Sequence, residues 1–467
     1  DSKVKKKLEE IEKYLDSIGQ PLLDQKKTKR HKKHHHDHHK KDKKKKSEKT
    51  SEQDSNETSS ASQNDVDFQD FDNVQKYKLK KSDYDQCTKE LRSTSRYVTY
   101  KGKMKKTQED VTIMVLKDVP DLEEKFKRLV NVLTAVQHPN LESFVGSVES
   151  PLPYVVVTKR VGEKLTDVLE RTKKKSRKSS GKNKEKNTGG EEDEKDEYVK
   201  EKHVTLKPGY RTIIAFNIAT AMAYLHSLNI IHRDLCGSNI TIDKAYNPRI
   251  INFANSRFLP NDTSQMSFKP DSSTCFRAPE LTDMETYDET VDVFAFGGLL
   301  YELLMGSPPF GKLRPIECEN KIRAAERPPL PQELSPELKD LITSCWAQDP
   351  KDRPSFADVV DTMLSKKISF PLDENTEIVE QFYAAKSIKN ADLKACLDLF
   401  RLIGEAINSS FAYMRESIRI RSLLHGYQFL LQTSNFATQD ELDDTNVLTQ
   451  LSNLRRSLEA LYETLTR

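Results

Sequence analysis

Two long charged segments, nearly free of apolar residues, limit where this chain can build a hydrophobic core. In the first, residues 21–80, a basic and histidine-rich block at 26–46 precedes a stretch rich in Ser, Asn and Asp. The second, residues 172–202, is basic in its first half and acidic in its second. Neither offers enough apolar surface to offset the entropy lost when a chain becomes ordered. We therefore predict a disordered linker at 21–80 and a disordered charged insertion at 172–202.

A short amphipathic helix is predicted before this linker, in residues 1–20. Apolar residues recur there at alternating spacings of four and three, which places them on one face of a helix: Val4, Leu8, Ile11, Leu15 and Ile18. The stripe covers only about two heptads, fewer than the three or four that indicate a coiled coil. The pattern therefore predicts a single packed helix.

Charge and cysteine usage argue against several broad classes of protein. Lys and Arg total 76 against 73 Asp and Glu, a balance that argues against a globally basic nucleic-acid binder. The six cysteines include no CxxC pair, which argues against a disulfide framework or zinc site and favours a reducing compartment. The most apolar stretch, residues 213–231, contains polar residues and predicts a buried core helix, not a membrane span. We expect a cytoplasmic protein without a transmembrane segment, with the nucleus as the alternative.

The Lys/His block at 26–46 leaves several interpretations open. It is compatible with a plain solvated linker, which needs no partner. It also matches the composition of nuclear-import or nucleic-acid patches, of patches that bind anionic membranes, and of histidine-rich metal-binding tracts.

Between the charged segments, apolar periodicity indicates a folded region. "EDVTIMVLKDV" alternates as a strand does, and "YVVVTKRV" is rich in β-branched residues. Helical spacing is present in "LEEKFKRLVNVLTAVQHPNL" and at residues 209–228, 291–305, 335–347 and 355–365. A small strand-rich half is therefore predicted ahead of a larger helical half.

Short motifs follow one another in a fixed order through residues 81–366. They are "IIHRDLCGSNI", in which Asn239 lies five residues after Asp234, then "FRAPE", "DVFAFG" and "CWAQDPKDRPSF". Together they resemble the eukaryotic protein kinase superfamily, and the last two are most similar to its tyrosine-kinase-like group. The resemblance implies an α+β, bilobed fold with a small β-rich N-lobe and a large helical C-lobe, to which residues 373–467 add a helical segment.

Four residues would have structural roles in such a fold. The resemblance pairs Glu280 of "APE" with Arg353, which ties the end of the activation segment to the C-lobe. It places Asp292 under the catalytic loop, whose arginine is Arg233. These residues predict a normally folded C-lobe and carry no information about catalysis.

The positions that handle nucleotide in the family are altered here. Met114 stands at the lysine of the VAIK motif and Asn252 at the metal-binding aspartate of DFG. Alignment of "LRSTSRYVTYKG" with the family's glycine-rich loop puts Arg92, Thr94 and Tyr97 at glycine positions. Methionine cannot hold a phosphate, and Mg²⁺ in such sites is held by carboxylates together with substrate phosphates. Each lost electrostatic group typically costs about 10²–10³ in rate.

We therefore predict a degenerate nucleotide pocket, lined by Met114, Thr158 near the gatekeeper position, Val161 of the hinge and Asn252. The family's catalytic base and magnesium ligand, Asp234 and Asn239, remain, and we interpret them as retained loop scaffolding. No metal site and no cofactor is expected; ATP and Mg²⁺ would enter only if the chain were active. Lys117 is the alternative lysine for that case.

Three functions remain open at this point. The leading hypothesis is a pseudokinase that acts as a signalling scaffold or allosteric switch. The alternatives are a weak or atypical ATP-dependent Ser/Thr kinase, and an adaptor that acts through its flanking helices. Apolar stripes at 393–418 and 448–465 predict a helical bundle or a segment docked on the C-lobe. Signalling proteins are the expected partners, through the kinase-like domain or these helices.

Overall fold

The computed structural model describes residues 77–180, 204–259, 274–282, 287–311 and 313–386, with isolated positions at 399, 402, 455, 456, 458 and 459. The predicted helix at 1–20, most of the linker at 21–80 and most of the segment 373–467 lie outside the described residues. So do residues 181–202 of the charged insertion.

The N-lobe is a five-stranded antiparallel sheet with one helix packed on it. Its strands have the order β1-β2-β3-β5-β4. In chain order the elements are β1 (Tyr84–Ser93), β2 (Tyr97–Met104), β3 (Asp110–Leu116), α1 (Leu122–Ala135), β4 (Phe144–Val148) and β5 (Val155–Lys159). Alternate residues of β3 face two different clusters, as strand geometry requires. Ile113 packs in a small cluster on one face, whereas Met114 joins the main core with Leu129 of α1.

The N-lobe begins slightly earlier than residue 81. Lys78 bridges Ser147 of β4 in parallel. The backbone N–H of Leu79 donates to the Ser147 carbonyl at 2.8 Å, and the Ser147 N–H donates to the carbonyl of Tyr77 at 2.9 Å. Residues 77–79, which we had placed in the linker, therefore cover the open edge of the sheet.

The C-lobe is built on two buried helices, α3 (Tyr210–Ser227) and α5 (Thr290–Met305). The other elements are β6 (Glu163–Lys164), α2 (Leu165–Ser180), β7 (Ile230–Ile231), β8 (Ile240–Ile242), β9 (Pro248–Ile250), β10 (Arg257–Phe258), α4 (Pro279–Thr282), α6 (Pro315–Arg323), α7 (Pro336–Cys345), α8 (Phe356–Ser365) and α9 (Glu377–Lys386). The predicted α+β, bilobed architecture is confirmed. No helix in the described part of the chain is long and apolar enough to cross a membrane.

Helix α2 was not predicted from the sequence, and it runs into the charged segment. It continues to Ser180, nine residues into the segment 172–202 that we assigned to a disordered insertion. Lys and Arg are good helix formers, and on a solvated face their charges need no partner. The charged composition therefore does not end the helix at residue 171.

The end of the activation segment is fastened to the C-lobe by a buried ion pair. Two nitrogens of the Arg353 guanidinium lie 2.5 and 3.0 Å from the Glu280 carboxylate oxygens. Both side chains are buried. The structure thus brings together the two residues that the resemblance paired.

Asp373 joins the segment after α8 to the N-terminus of α3. Its buried carboxylate accepts hydrogen bonds from the backbone N–H groups of Gly209 and Thr212, at 2.6 and 2.7 Å, and from the Thr212 hydroxyl at 3.0 Å. Gly209, the residue before the helix, has no side chain with which to cap it. Asp373 supplies the missing cap from a distant part of the chain, and its negative charge suits the positive end of the helix dipole.

We expect Asp373→Ala to lower the free energy of unfolding by about 2–3 kcal/mol, because it removes a charged cap that accepts three buried hydrogen bonds. Chemical denaturation measures the change. Glu374→Ala is the matched control, since its exposed neighbouring carboxylate should cost less than about 0.5 kcal/mol. Equal effects of the two substitutions would contradict the capping role.

Candidate nucleotide cleft

The catalytic loop between β7 and β8 is held from below by Asp292. This buried carboxylate accepts the backbone N–H groups of His232 and Arg233, both at 2.7 Å, and lies 3.0 Å from Nε2 of His226. Burial acts to raise its pKa, but the hydrogen bond to His226 and the nearby His232 hold the pKa below its ordinary value. Asp292 therefore stays ionised and fixes the loop.

The Arg233 side chain is hydrogen-bonded to other residues of the protein. Its guanidinium donates to the backbone carbonyl of Asn255 and, at 2.7 Å, to the hydroxyl of Tyr287. The side chain is buried. Asn255 also accepts from Arg96 of the turn between β1 and β2, at 2.8 Å. A chain of contacts thus runs from the N-lobe through Asn255 to the catalytic loop.

Asp234 and Asn239 lie together at the base of the cleft. The amide nitrogen of Asn239 donates to the Asp234 backbone carbonyl at 2.7 Å, which closes the loop on itself. Its amide oxygen, the atom that could face a metal, accepts from the Arg92 guanidinium at 2.9 Å. Arg92 is at the end of β1, so the N-lobe hairpin reaches across the cleft.

Both polar atoms of the Asn252 side chain are hydrogen-bonded to other side chains of the protein. Its Oδ1 accepts the hydroxyl of Tyr97 at 2.8 Å. Its Nδ2 lies 3.1 Å from a carboxylate oxygen of Asp234 and 3.2 Å from Oδ1 of Asn239. The backbone of Asn252 is left-handed, with φ of 73°, a conformation that Asn tolerates better than most residues. Burial raises the pKa of Tyr97 to about 12, so its hydroxyl remains a donor.

The back of the cleft contains a buried acid that no sequence pattern identifies. One Glu142 carboxylate oxygen accepts the Thr158 hydroxyl at 2.7 Å, and the other accepts the Asn252 backbone N–H at 2.8 Å. Burial raises the pKa of Glu142 despite these bonds. Glu142 follows Leu141 in "HPNLESF", where no charge pattern or spacing marks it. Its burial results from packing between the lobes.

The other residues predicted to line the pocket differ in burial and in their contacts. Met114 and Leu129 are both buried and belong to one cluster with Phe126. Val161 is half-buried, two residues after the end of β5. The ammonium of Lys117 lies 3.1 Å from the Ser93 hydroxyl and 2.5 Å from the Thr94 carbonyl, so it is bound to the hairpin.

A second buried acid supports the catalytic loop from α5. Glu302 accepts the backbone N–H of Gly237 at 3.1 Å. A Cβ atom at Gly237 would lie 2.5 Å from the same carboxylate oxygen, so a larger residue there would require the Glu302 side chain to move. Burial raises the pKa of Glu302 to about 7.

Sequence comparisons agree with this architecture. A family model described as protein tyrosine and serine/threonine kinase matches residues 87–363. Because the match covers more than half of the chain, the chain belongs to this family.

Relatives of the chain include kinases of amoebae and plants. A probable serine/threonine-protein kinase of Dictyostelium discoideum is 44% identical over 149 residues, or 32% of this chain and 16% of the relative. The dual specificity protein kinase pyk3 of the same organism is 30% identical over 262 residues, which are 56% of this chain and 17% of the relative. The serine/threonine-protein kinase VIK of Arabidopsis thaliana is 29% identical over 260 residues, which are 54% of this chain and 52% of the relative. The matched regions therefore span no more than about half of these relatives.

Glu302→Gln should remove a pH dependence of stability. Because the folded-state pKa of about 7 exceeds the ordinary 4.5, the stability that neutral Glu302 contributes is complete below pH 4.5 and is lost as the pH rises through 7. Gln does not titrate, so the free energy of unfolding of the variant should rise relative to that of the wild type by up to about 3 kcal/mol between pH 4.5 and 7. Denaturation at several pH values measures this. The exposed Glu289→Gln should follow the wild type, and a constant difference between Glu302→Gln and wild type would refute the assignment.

Met114→Lys should destabilise the fold by about 3–5 kcal/mol, because it buries an unpaired charge. Adding Leu129→Glu should recover part of this loss by supplying a partner. Denaturation of the single and double variants gives the coupling energy. Met104→Lys is the control, because it places the same charge in the other cluster of the sheet. Adding Leu129→Glu to it should restore no stability. Additive effects at Met114 and Leu129 would show that the two side chains do not meet.

Proposed function

We propose that this chain is a pseudokinase of the tyrosine-kinase-like group, with no or very weak phosphotransfer, and that it acts as a signalling scaffold or allosteric switch. The observation that carries the proposal is the position of Asn252. Its amide donates to Asp234 and accepts from Tyr97, so side chains of the protein already use both polar atoms of the Asn252 amide.

The exchange of aspartate for asparagine changes what the site needs. An aspartate at position 252 would bring a second carboxylate beside Asp234, and the repulsion between the two charges would favour a bound cation or the protonation of one carboxylate. An amide nitrogen replaces this repulsion with a hydrogen bond. The oxygens of Asn239 and Asn252 already accept from Arg92 and Tyr97. This donor set does not fit Mg²⁺, which binds carboxylate and phosphate oxygens.

Space in the cleft supports the same proposal. Phosphoryl transfer depends on positioning the phosphates and neutralising their charge. From the β1–β2 hairpin, the Arg92 guanidinium extends to Asn239 of the catalytic loop and the Tyr97 phenol to Asn252, where a nucleotide's phosphates would have to lie. Partners would then bind the surface of the kinase-like domain without any need for catalysis. This binding would take place in the cytoplasm or in the nucleus. Signalling proteins are the partner class that suits such a domain or its C-terminal helices.

A weak Ser/Thr kinase is the second candidate. It is favoured by the intact contact between Asn239 and the Asp234 carbonyl, at 2.7 Å. Relatives named as Ser/Thr kinases support it as well. In that function Lys117 would have to leave the hairpin to serve the nucleotide.

Nucleotide binding separates the two candidates. We expect millimolar ATP to leave the melting temperature unchanged with Mg²⁺ or with EDTA, whereas an active kinase of the family should be stabilised, since a ligand at 100 times its Kd contributes about 2.7 kcal/mol. Magnesium-stimulated binding at low micromolar ATP would overturn the pseudokinase proposal. Transfer of labelled phosphate to a generic substrate, lost in Asp234→Asn, would establish the second candidate.

Asn252→Asp should destabilise the protein by about 1–3 kcal/mol in EDTA, because it exchanges a buried hydrogen bond for a buried carboxylate pair. Millimolar Mg²⁺ should restore part of this loss. Asn247→Asp is the matched control: Asn247 is exposed and donates to Asp243 at 3.0 Å, so water should screen the resulting carboxylate pair. Unchanged stability of Asn252→Asp in EDTA would contradict the role given to the amide.

A further inference from the structure

Two free cysteines meet where the end of the activation segment packs on α6. The sulfur atoms of Cys275 and Cys318 lie 2.7 Å apart. Cys275 is half-buried in the one-turn 3-10 helix Thr274–Phe276, and Cys318 is fully buried in α6. No other sulfur pair is recorded at such a distance among residues 77–180, 204–259, 274–282, 287–311 and 313–386.

Neighbouring contacts hold the two backbones in place. Arg277 lies two residues after Cys275, and its guanidinium is 2.9 Å from the carboxylate of Glu319, which follows Cys318. Both side chains of this ion pair are almost completely buried. Phe276 packs against α5, where a Cβ atom at Gly298 would lie 2.9 Å from its ring. The two thiols are therefore positioned by contacts on either side of them, independently of the nucleotide cleft.

We propose that Cys275 and Cys318 are an oxidation site, at which a peroxide converts the two thiols into a reversible disulfide that joins the end of the activation segment covalently to α6. A disulfide S–S bond is about 2.05 Å long, so closure needs the sulfurs to approach by roughly 0.6 Å. The inference does not depend on the proposed function. It applies equally to an active kinase and to a pseudokinase.

The chemistry balances with hydrogen peroxide as the oxidant. The sulfur of Cys275, the more accessible thiol, attacks the peroxide O–O bond; this gives a sulfenic acid and releases one water molecule. The sulfur of Cys318 then attacks the Cys275 sulfur, and the sulfenic hydroxyl leaves as a second water molecule. A dithiol reductant reverses the bond by thiol–disulfide exchange.

The environment also sets the rate of this step. Burial, together with the adjacent Cys318, raises the pKa of Cys275 to about 12. Only a small fraction is thiolate at neutral pH, and the thiolate is the reactive form. Oxidation should therefore be slow at pH 7 and about tenfold faster for each unit of rising pH below the pKa.

The test treats the whole chain with hydrogen peroxide, blocks the remaining thiols by alkylation and identifies linked peptides by mass spectrometry. We expect one Cys275–Cys318 link per chain, and we expect dithiothreitol to remove it. The oxidised chain should melt roughly 5 °C higher, because the bond closes a loop of more than forty residues. Hydrogen exchange in residues 274–282 and in α6 should slow.

Cys275→Ser should abolish both the link and the rise in melting temperature. It changes a half-exposed side chain and is less disruptive than a change at the buried Cys318. Cys87→Ser, which removes an exposed thiol in β1, is the control and should leave both effects intact. The proposal is overturned if Cys275 and Cys318 remain alkylatable in the denatured chain after prolonged peroxide treatment at raised pH, under conditions that fully oxidise Cys87. It is also overturned if Cys275 stops at a sulfenic or higher oxide, or links to a different cysteine.

Discussion

The arrangement of the cleft depends on one buried carboxylate under the catalytic loop. Asp292 accepts two backbone N–H groups of this loop, and burial makes these bonds costly to break. With the loop held, Arg233 reaches the Asn255 carbonyl, and Asp234 faces Asn252. None of these contacts uses a nucleotide. The loop therefore keeps a kinase-like conformation whether or not it takes part in catalysis.

The contacts above that loop connect the two lobes through the protein's own side chains. Arg92, Arg96 and Tyr97 of one hairpin bind Asn239, Asn255 and Asn252 in turn. In a nucleotide-dependent enzyme, part of this connection would come from the ligand. Here hydrogen bonds in a largely buried setting supply it, and Glu142 fixes the backbone of Asn252 from behind. Under the proposed function, a domain joined in this way would change shape less with nucleotide, which suits recognition by partners.

Much of the fold was predictable because its signals are local. Helix α3 and strand β3 follow from apolar periodicity, and Met114 and Asn252 lack charge by residue type alone. Helix α2 was not predicted, and its last nine residues were assigned to a disordered insertion, because charged residues lower apolar content without lowering helix propensity. Glu142, Arg96 and Asn255 were not identified in the cleft, since their partners are distant in sequence and no spacing rule connects them.

The sequence by itself determined that a strand-rich half precedes a helical half, because apolar periodicity is a short-range signal. Its motifs, through their resemblance to protein kinases, implied the bilobed class and the loss of charge at two nucleotide positions. Only the tertiary structure decided what fills the space left behind. The Tyr97 hydroxyl meets Asn252 across 155 positions of sequence, and the two thiols of Cys275 and Cys318 meet across 43. Such contacts arise when distant segments pack into one dense interior, where buried polar groups must find partners wherever the fold brings them.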